Sequence, residues 1–279
     1  MNELAFTKMH GLGNDFVVLD TRKTPVDFDA VSARAISDRR LGIGCDQILI
    51  IEAADSDAEI FMRILNADGS EAEACGNGTR CVAALMMAET GNANALIETR
   101  AGLLRAESVD DGNFAVDMGP VNLEWQAIPL AEEADTLHLD VSVGELSDPV
   151  GVNVGNPHAV FFVDDATAVP LPELGPQIET HALFPERTNV EVAQIMGDGS
   201  IRLRVWERGV GITRACGSGA CATAVAANRR ELAGRSATVI LDGGVLGIDW
   251  QDDNHVIMTG PVATSFTGLI DPSLLEPAR

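Results

Sequence analysis

The sequence predicts an α+β chain of two pseudo-symmetric domains, each a mixed β-sheet or barrel wrapped around a central helix, with the functional site in the cleft between them. Three observations predict it. Ala74-Cys75-Gly76-Asn77-Gly78 recurs as Ala215-Cys216-Gly217-Ser218-Gly219, 141 residues further on. Other marks recur at an offset of 141 or 142: Gly13-Asn14 with Gly155-Asn156, Gln47 with Asn189, Asn66 with Glu207, Gly102 with Gly244, and Gly119-Pro120 with Gly260-Pro261. Each copy also reads as short apolar strands together with one helix of small residues. A fixed self-similarity of this kind is the mark of a duplicated supersecondary unit. The copies span residues 1–122 and 123–264, and the tail 265–279 is expected to pack back on the first domain.

In the first copy, Phe16-Val17-Val18-Leu19, Ile48-Leu49-Ile50-Ile51 and Ile60 to Leu65 are short runs bounded by Gly, Asp and Asn, the pattern of strands. The second copy offers Val152 to Val154, Ala159 to Val163, Val190 to Ile195, Ile201 to Trp206 and Thr238 to Leu241. After each cysteine motif comes an alanine-rich run, Arg80 to Glu89 and Ala220 to Leu232, which predicts a helix stopping near Gly91 and Gly234. Both helices are apolar round much of their circumference and are expected inside the sheet. The acidic segment Trp125 to Pro149 reads as a linker plus a crossover strand. Gly11-Leu12-Gly13 lacks the third glycine and the preceding strand of a dinucleotide loop.

The 279 residues suit one large domain or two of about 140. An apolar fraction of 46% excludes a disordered chain. With 19 Lys and Arg against 42 Asp and Glu, the formal charge of −23 repels a phosphate backbone, so no nucleic acid partner is expected. No apolar run is long enough to cross a bilayer and the start lacks a signal-peptide pattern, which predicts no membrane partner and a cytoplasmic location. Five cysteines without zinc spacing predict free thiols and no metal site.

The chemistry is expected at the cysteines. The first N–H groups of a helix have no intrahelical partner and carry the positive end of its dipole, so Gly76-Asn77 and Gly217-Ser218 would receive a ligand carboxylate. The same position lowers a thiol's pKa and makes Cys75 and Cys216 candidate thiolates. A carboxylate held with one thiol on each side suits removal of an α-proton on one face and its return on the other. Asn14, Gln47 and Asn66 in one copy, with Asn156, Asn189 and Glu207 in the other, add polar groups at equivalent places.

These residues resemble the diaminopimelate epimerase family. The resemblance rests on Met9-His10-Gly11-Leu12-Gly13-Asn14-Asp15-Phe16, Gly42-Ile43-Gly44-Cys45-Asp46-Gln47, Asn66-Ala67-Asp68-Gly69-Ser70, Ala74 to Arg80, Gly155-Asn156-Pro157-His158-Ala159, Glu186-Arg187-Thr188-Asn189-Val190, and Trp206-Glu207-Arg208-Gly209 leading to Ala215 to Gly219. It covers most of the chain. It implies a pyridoxal-independent isomerase, without cofactor, that interconverts LL- and meso-2,6-diaminopimelate in lysine and peptidoglycan precursor biosynthesis, and a homodimer.

Carried over by residue, the resemblance makes Cys75 and Cys216 the acid/base thiols. Asn14, Gln47, Asn66, Asn156, Asn189, Glu207 and Arg208 would line the substrate site, and Gly76, Asn77, Gly217 and Ser218 would bind the reacting carboxylate. His158, with Glu207, would help set thiol protonation. Cys81 and Cys221 read as packing residues. Proline racemase-like enzymes share the cysteine pair and give the nearest alternative substrate, while a phenazine-type isomerase lacks it. A non-catalytic amino-acid binder, or a redox sensor closing a Cys75 to Cys216 disulfide, are the readings from other classes.

Overall fold

The computed structural model describes residues 4–26, 28–109 and 112–275; the first three residues of the expected first domain and the last four of the expected tail lie outside them. Two compact units emerge, residues 1–116 with 260–279, and residues 117–259.

In unit 1, strands β1 (Leu4–Gly11) and β2 (Asn14–Asp20) form a hairpin in which Gly11 pairs with Asn14. Its two-residue turn puts Leu12 at φ 56° and Gly13 at φ 85°. Positive φ at both central positions is what a hairpin turn matching strand twist requires, so the Gly-Leu-Gly run is a turn and no phosphate loop. Helix α1 (Ala30–Ser37) follows, capped by Asp29. β3 (Gln47–Glu52) is parallel to β2 and antiparallel to β4 (Ile60–Asn66). The short β5 (Glu71–Ala72) leads to α2 (Gly76–Thr90), then β6 (Asn94–Thr99), β7 (Gly102–Ser108) and β8 (Asn113–Pro120). β6 is parallel to β4 and pairs antiparallel with β7. The returning strand Ala263–Ile270 pairs antiparallel with β1.

Unit 2 begins with turns and the hairpin β9 (Ser142–Val143) and β10 (Leu146–Ser147). It then repeats the scheme with β11 (Val150–Asn153), β12 (Pro157–Phe162), α3 (Leu171–Glu179), β13 (Asn189–Ile195), β14 (Ile201–Glu207), β15 (Gly211–Thr213), α4 (Gly217–Arg229), β16 (Ser236–Leu241), β17 (Gly244–Trp250) and β18 (His255–Pro261). The repeat holds at the level of register. Phe16 stands beside Gln47 in one parallel pair and His158 beside Asn189 in the other; Ile60 faces Ile97, and Ile201 faces Val239.

Each central helix lies among the strands of its own unit. α4 packs against β11, β12, β13, β14, β16 and β17. Its residues Gly219 to Ala227 are all buried, as are Gly76 to Ala83 of α2. Alanine is the best helix former and leaves room for strands to close in, so a helix enclosed on all sides needs this composition.

The two helices stop differently. α2 ends on Gly91 at φ 75°, whose N–H bonds Met87 O. α4 stops at Arg229, short of the expected Gly234, because Glu231 takes the left-handed conformation at φ 58°. Glu231 N–H bonds Asn228 O at 2.9 Å and Leu232 N–H bonds Ala227 O at 2.8 Å, a Schellman closure built on a residue with a Cβ. Left-handed backbone costs an L-residue roughly 1 kcal/mol. Glu231→Gly is therefore expected to stabilise unit 2 by about 0.5 to 1 kcal/mol. Urea unfolding followed by tryptophan fluorescence checks this directly, since all three tryptophans (Trp125, Trp206 and Trp250) belong to unit 2.

The segment Trp125 to Pro149 is no linker. Ile128, Leu130, Leu139, Val141 and Leu146 are buried in one cluster with Phe161, Val190 and Val192. Its acidic residues and prolines occupy turns, while an apolar side chain every few residues reaches the core.

Candidate active site

Each thiol sits at the mouth of its central helix as the N-cap. Cys75 has extended backbone (φ −150°) and its Sγ accepts from Gly78 N–H at 3.4 Å. Cys216 (φ −112°) accepts from Gly219 N–H at 3.3 Å. A side-chain acceptor at this position satisfies one of the orphan N–H groups, a role usually taken by Ser, Thr, Asp or Asn, and a thiolate fills it better than a thiol. All five cysteines are outside disulfides.

In unit 1 the structure brings Asn14, Asn77 and Cys75 together. Asn14 Oδ1 accepts from Asn77 Nδ2 at 3.2 Å and lies 4.0 Å from Cys75 Sγ. Asn14 Nδ2 donates to Asp46 Oδ2 at 2.9 Å, which turns the carbonyl end of the amide toward the cysteine. Asp46 in turn meets Arg39, whose Nη2 also bonds Asp15 at 2.7 Å. Burial would raise the Asp15 carboxyl, but Arg39 and Lys8 outweigh it and hold it down at about 2. Asn77 Oδ1 accepts from the buried Arg80 at 2.8 Å. Gln47 and Asn66 form a separate pair across β3 and β4, Nε2 to Oδ1 at 2.9 Å, with Asn66 held further by Ser70.

In unit 2 His158 is fully buried between two acceptors, Nδ1 2.7 Å from Glu191 Oε1 and Nε2 2.8 Å from Asn156 Oδ1. Asn189 is buried and uses its amide to tie the site's backbone together: Nδ2 donates to Pro157 O at 2.9 Å, and Oδ1 accepts from Arg208 N–H at 2.9 Å. Glu207 accepts from Thr213. Arg208 Nη1 bonds Glu186 O at 3.1 Å. Ser218 Oγ stands 3.5 Å from Cys216 Sγ. Burial pushes the Cys216 thiol well above the usual range, and the charges of Glu207 and Glu191 push it further.

The remaining cysteines belong to packing. Cys81 and Cys221 are fully buried in their helices, and burial pushes the Cys81 thiol up to about 12. Cys45 lies in a core cluster with Val17, Ile48 and Ile50, its Sγ 3.4 Å from Ser37 Oγ. Among the described residues no group of three or more His, Cys, Asp or Glu could hold a metal ion. Asp46 and Glu191, which hold the candidate site residues Asn14 and His158, are ones the sequence reading did not single out. Glu191 had a signal, as a charged residue in the middle of the otherwise apolar run Val190 to Ala193.

Comparison with solved structures assigns the fold to a class. A hydroxyproline epimerase from Agrobacterium vitis, crystallised with trans-4-hydroxy-L-proline, superposes with a TM-score of 0.70 at 17% identity, covering 97% of this chain and 91% of that one. A Bacillus anthracis phenazine biosynthesis protein of the PhzF family gives 0.69 at 15% identity, covering 97% and 99%. The fold is thus the two-domain α+β fold of the PhzF and proline racemase class. The model of the diaminopimelate epimerase family matches residues 6–124 and 150–265. Diaminopimelate epimerases from Rhodospirillum centenum and Erythrobacter litoralis are 58% and 56% identical, covering 97% and 96% of this chain and 93% and 97% of theirs. The chain belongs to the diaminopimelate epimerase family.

Proposed function

We propose that this isomerase interconverts LL- and meso-2,6-diaminopimelate by a two-base inversion carried by Cys75 and Cys216. The observation that carries the reading is the duplicated thiol cap: one cysteine at the N-terminus of each central helix, at equivalent places in the repeat. One thiolate takes the α-proton, so that its C–H bond breaks and an S–H bond forms. The electron pair passes into the carboxylate as an enediolate. The other thiol gives its proton to the opposite face, configuration inverts, and the two thiols have exchanged protonation states.

An α-proton of an amino acid is very weakly acidic, so the developing oxyanion charge must be met by fixed donors. The backbone N–H groups of Gly76-Asn77 and Gly217-Ser218 are those donors in this reading, and removing one such donor costs about 3 to 4 kcal/mol in comparable sites. A diamino dicarboxylate also needs acceptors for its ammonium groups and donors for its carboxylates. Glu207 and the carbonyl ends of Asn14, Gln47, Asn66 and Asn156 serve the first need, Arg208 and the amide NH₂ groups the second, while Asn189 acts by holding the backbone of Pro157 and Arg208 in place. His158 supports the protonation state of a thiol.

Phe266 and Leu269 on the returning strand are 50% and 57% exposed and support a homodimer formed through unit 1. Five unbridged thiols fit a cytoplasmic enzyme, and the strong negative charge fits a protein with no nucleic acid partner. Among the described residues no helix is long and apolar enough to cross a membrane. The deciding experiment is proton NMR in deuterated water with reductant, offering LL-diaminopimelate and L-proline separately. Deuterium at one α-carbon of diaminopimelate with formation of the meso isomer, and none in proline, is the expected result; exchange in proline alone overturns the substrate assignment.

A further inference from the structure

The two copies of the repeat differ in what stands behind their cysteines. In unit 1 a Cβ built on Gly78 would meet Leu49 Cδ2 at 3.0 Å and Cys75 Cβ at 3.5 Å. In unit 2 a Cβ built on Gly219 would meet Glu191 Oε1 at 3.0 Å and Cys216 Sγ at 3.2 Å. The carboxyl oxygen and the sulfur therefore flank one glycine, where a side chain would crowd both. Glu191 occupies the register position of Leu49, and His158 that of Phe16. All four side chains are fully buried. Glu207 likewise stands where the first repeat has Asn66.

A leucine and a phenylalanine fill these positions in unit 1, so packing alone does not call for a charged pair there. Burying a carboxyl group is unfavourable unless its oxygens are bonded. Glu191 Oε1 has His158, yet Oε2 finds no hydrogen-bond partner among the described residues. Glu191 is thus kept in a position where an apolar residue packs as well, with one oxygen unsatisfied, next to a thiol assigned to proton transfer.

We propose that Glu191 is a positioning residue of the reaction: its carboxyl group, locked by His158 and set against Gly219, keeps the resting proton on Cys216, so that Cys216 begins as the acid and Cys75 as the base. The proposal rests on the reading of both cysteines as acid/base thiols. The charged and titratable groups facing Cys216 within unit 2 are Glu207 from β14 and Glu191 from β13, with His158 of β12 behind Glu191 and the positive end of α4 at the sulfur. Burial pushes the Glu191 carboxyl up and His158 pulls it back down; in its ionised form it disfavours the thiolate of the buried Cys216, against the helix terminus that favours it. Asn66 and Leu49 put no charge at the equivalent places in unit 1, and this asymmetry of the two copies is what sets Cys216 apart in the proposal.

The test is the pH dependence of iodoacetamide alkylation at each cysteine of the full chain, read by peptide mass spectrometry. It compares wild type with Glu191→Gln and with the double variant His158→Phe/Glu191→Leu, whose side chains are those that already pack in the first repeat. The midpoint for Cys216 is expected to fall by about one pH unit in either variant, with that for Cys75 unmoved. The limb of the epimerase pH-rate profile that reports Cys216 should move with it. A Cys216 midpoint unchanged in both variants, or an equal shift at both thiols, overturns the proposal. Midpoints are compared because they do not depend on how accessible the buried thiol is. Turnover by Cys216→Ala is measured alongside: if that variant stays active, the two-base reading fails while the thiol titration still reports on Glu191.

Discussion

Cys75→Ala and Cys216→Ala are each expected to lower epimerisation about 1,000-fold or more and to leave the fold intact. The two halves of this expectation have different physical origins. Removing a positioned acid or base withdraws its share of proton-transfer catalysis, typically 10²- to 10⁴-fold for one group. In the proposed two-base mechanism the loss belongs at the upper end, because inversion needs both an acid and a base. Groups that act as a unit also lose nearly everything when one is removed. The structural cost is confined to the helix cap: each variant forfeits the sulfur that accepts from Gly78 or Gly219, worth about 1 kcal/mol. Cys→Ser separates the two, since a hydroxyl restores the cap and is far too weak an acid to restore proton transfer at neutral pH. Conversion of LL-diaminopimelate followed by NMR, beside far-ultraviolet circular dichroism and thermal unfolding, reads both. Conversion by either alanine variant within tenfold of wild type would sink the two-base mechanism.

The repeat was legible in the sequence because duplication preserved spacing where it did not preserve residues. Gln47 and Asn189, and Asn66 and Glu207, are different side chains, but strand register forces each pair to the same place, and the offset survives in the parallel pairings. The cysteine caps were legible for a local reason: Cys-Gly-x-Gly before an alanine run is a helix start, and a helix start is an anion site. What escaped was non-local. Asp46 holds Asn14 across 32 residues and Glu191 holds His158 across 33. β13 is buried on both faces, so the alternation that reveals which way Glu191 points is absent from Asn189–Ile195. The stop of α4 escaped for the opposite reason. Glycine is the default in the left-handed position and Gly234 drew the boundary, while the chain placed Glu231 there under the pull of the Leu232 and Ala233 bonds to Ala227 O.

Gly42→Ala is expected to destabilise unit 1 by about 3 kcal/mol, at the upper end of what overpacking costs. A Cβ on Gly42 would lie 2.0 Å from Ala35 O, 2.8 Å from Ile36 O and 3.0 Å from Asp38 O. All three are backbone carbonyls at the end of α1, so no side chain can rotate away and the main chain itself must shift. The shift would strain a tight set of bonds: Gly42 N–H to Asp38 O at 3.0 Å, and Ile43 and Gly44 N–H to Ile36 O at 3.0 and 2.9 Å. These bonds fix the approach to β3 and with it Asp46, the residue just before that strand, so Asn14 would lose the partner that aims its carbonyl at Cys75. Activity is therefore expected to fall with stability. Gly197→Ala is the control, because a Cβ there meets nothing within 4 Å and its backbone is not left-handed; it should change stability by less than about 0.5 kcal/mol. Tryptophan fluorescence cannot follow the change, since unit 1 contains no tryptophan. Urea unfolding monitored by far-ultraviolet circular dichroism is the measurement, and a Gly42→Ala midpoint equal to that of Gly197→Ala contradicts the steric account.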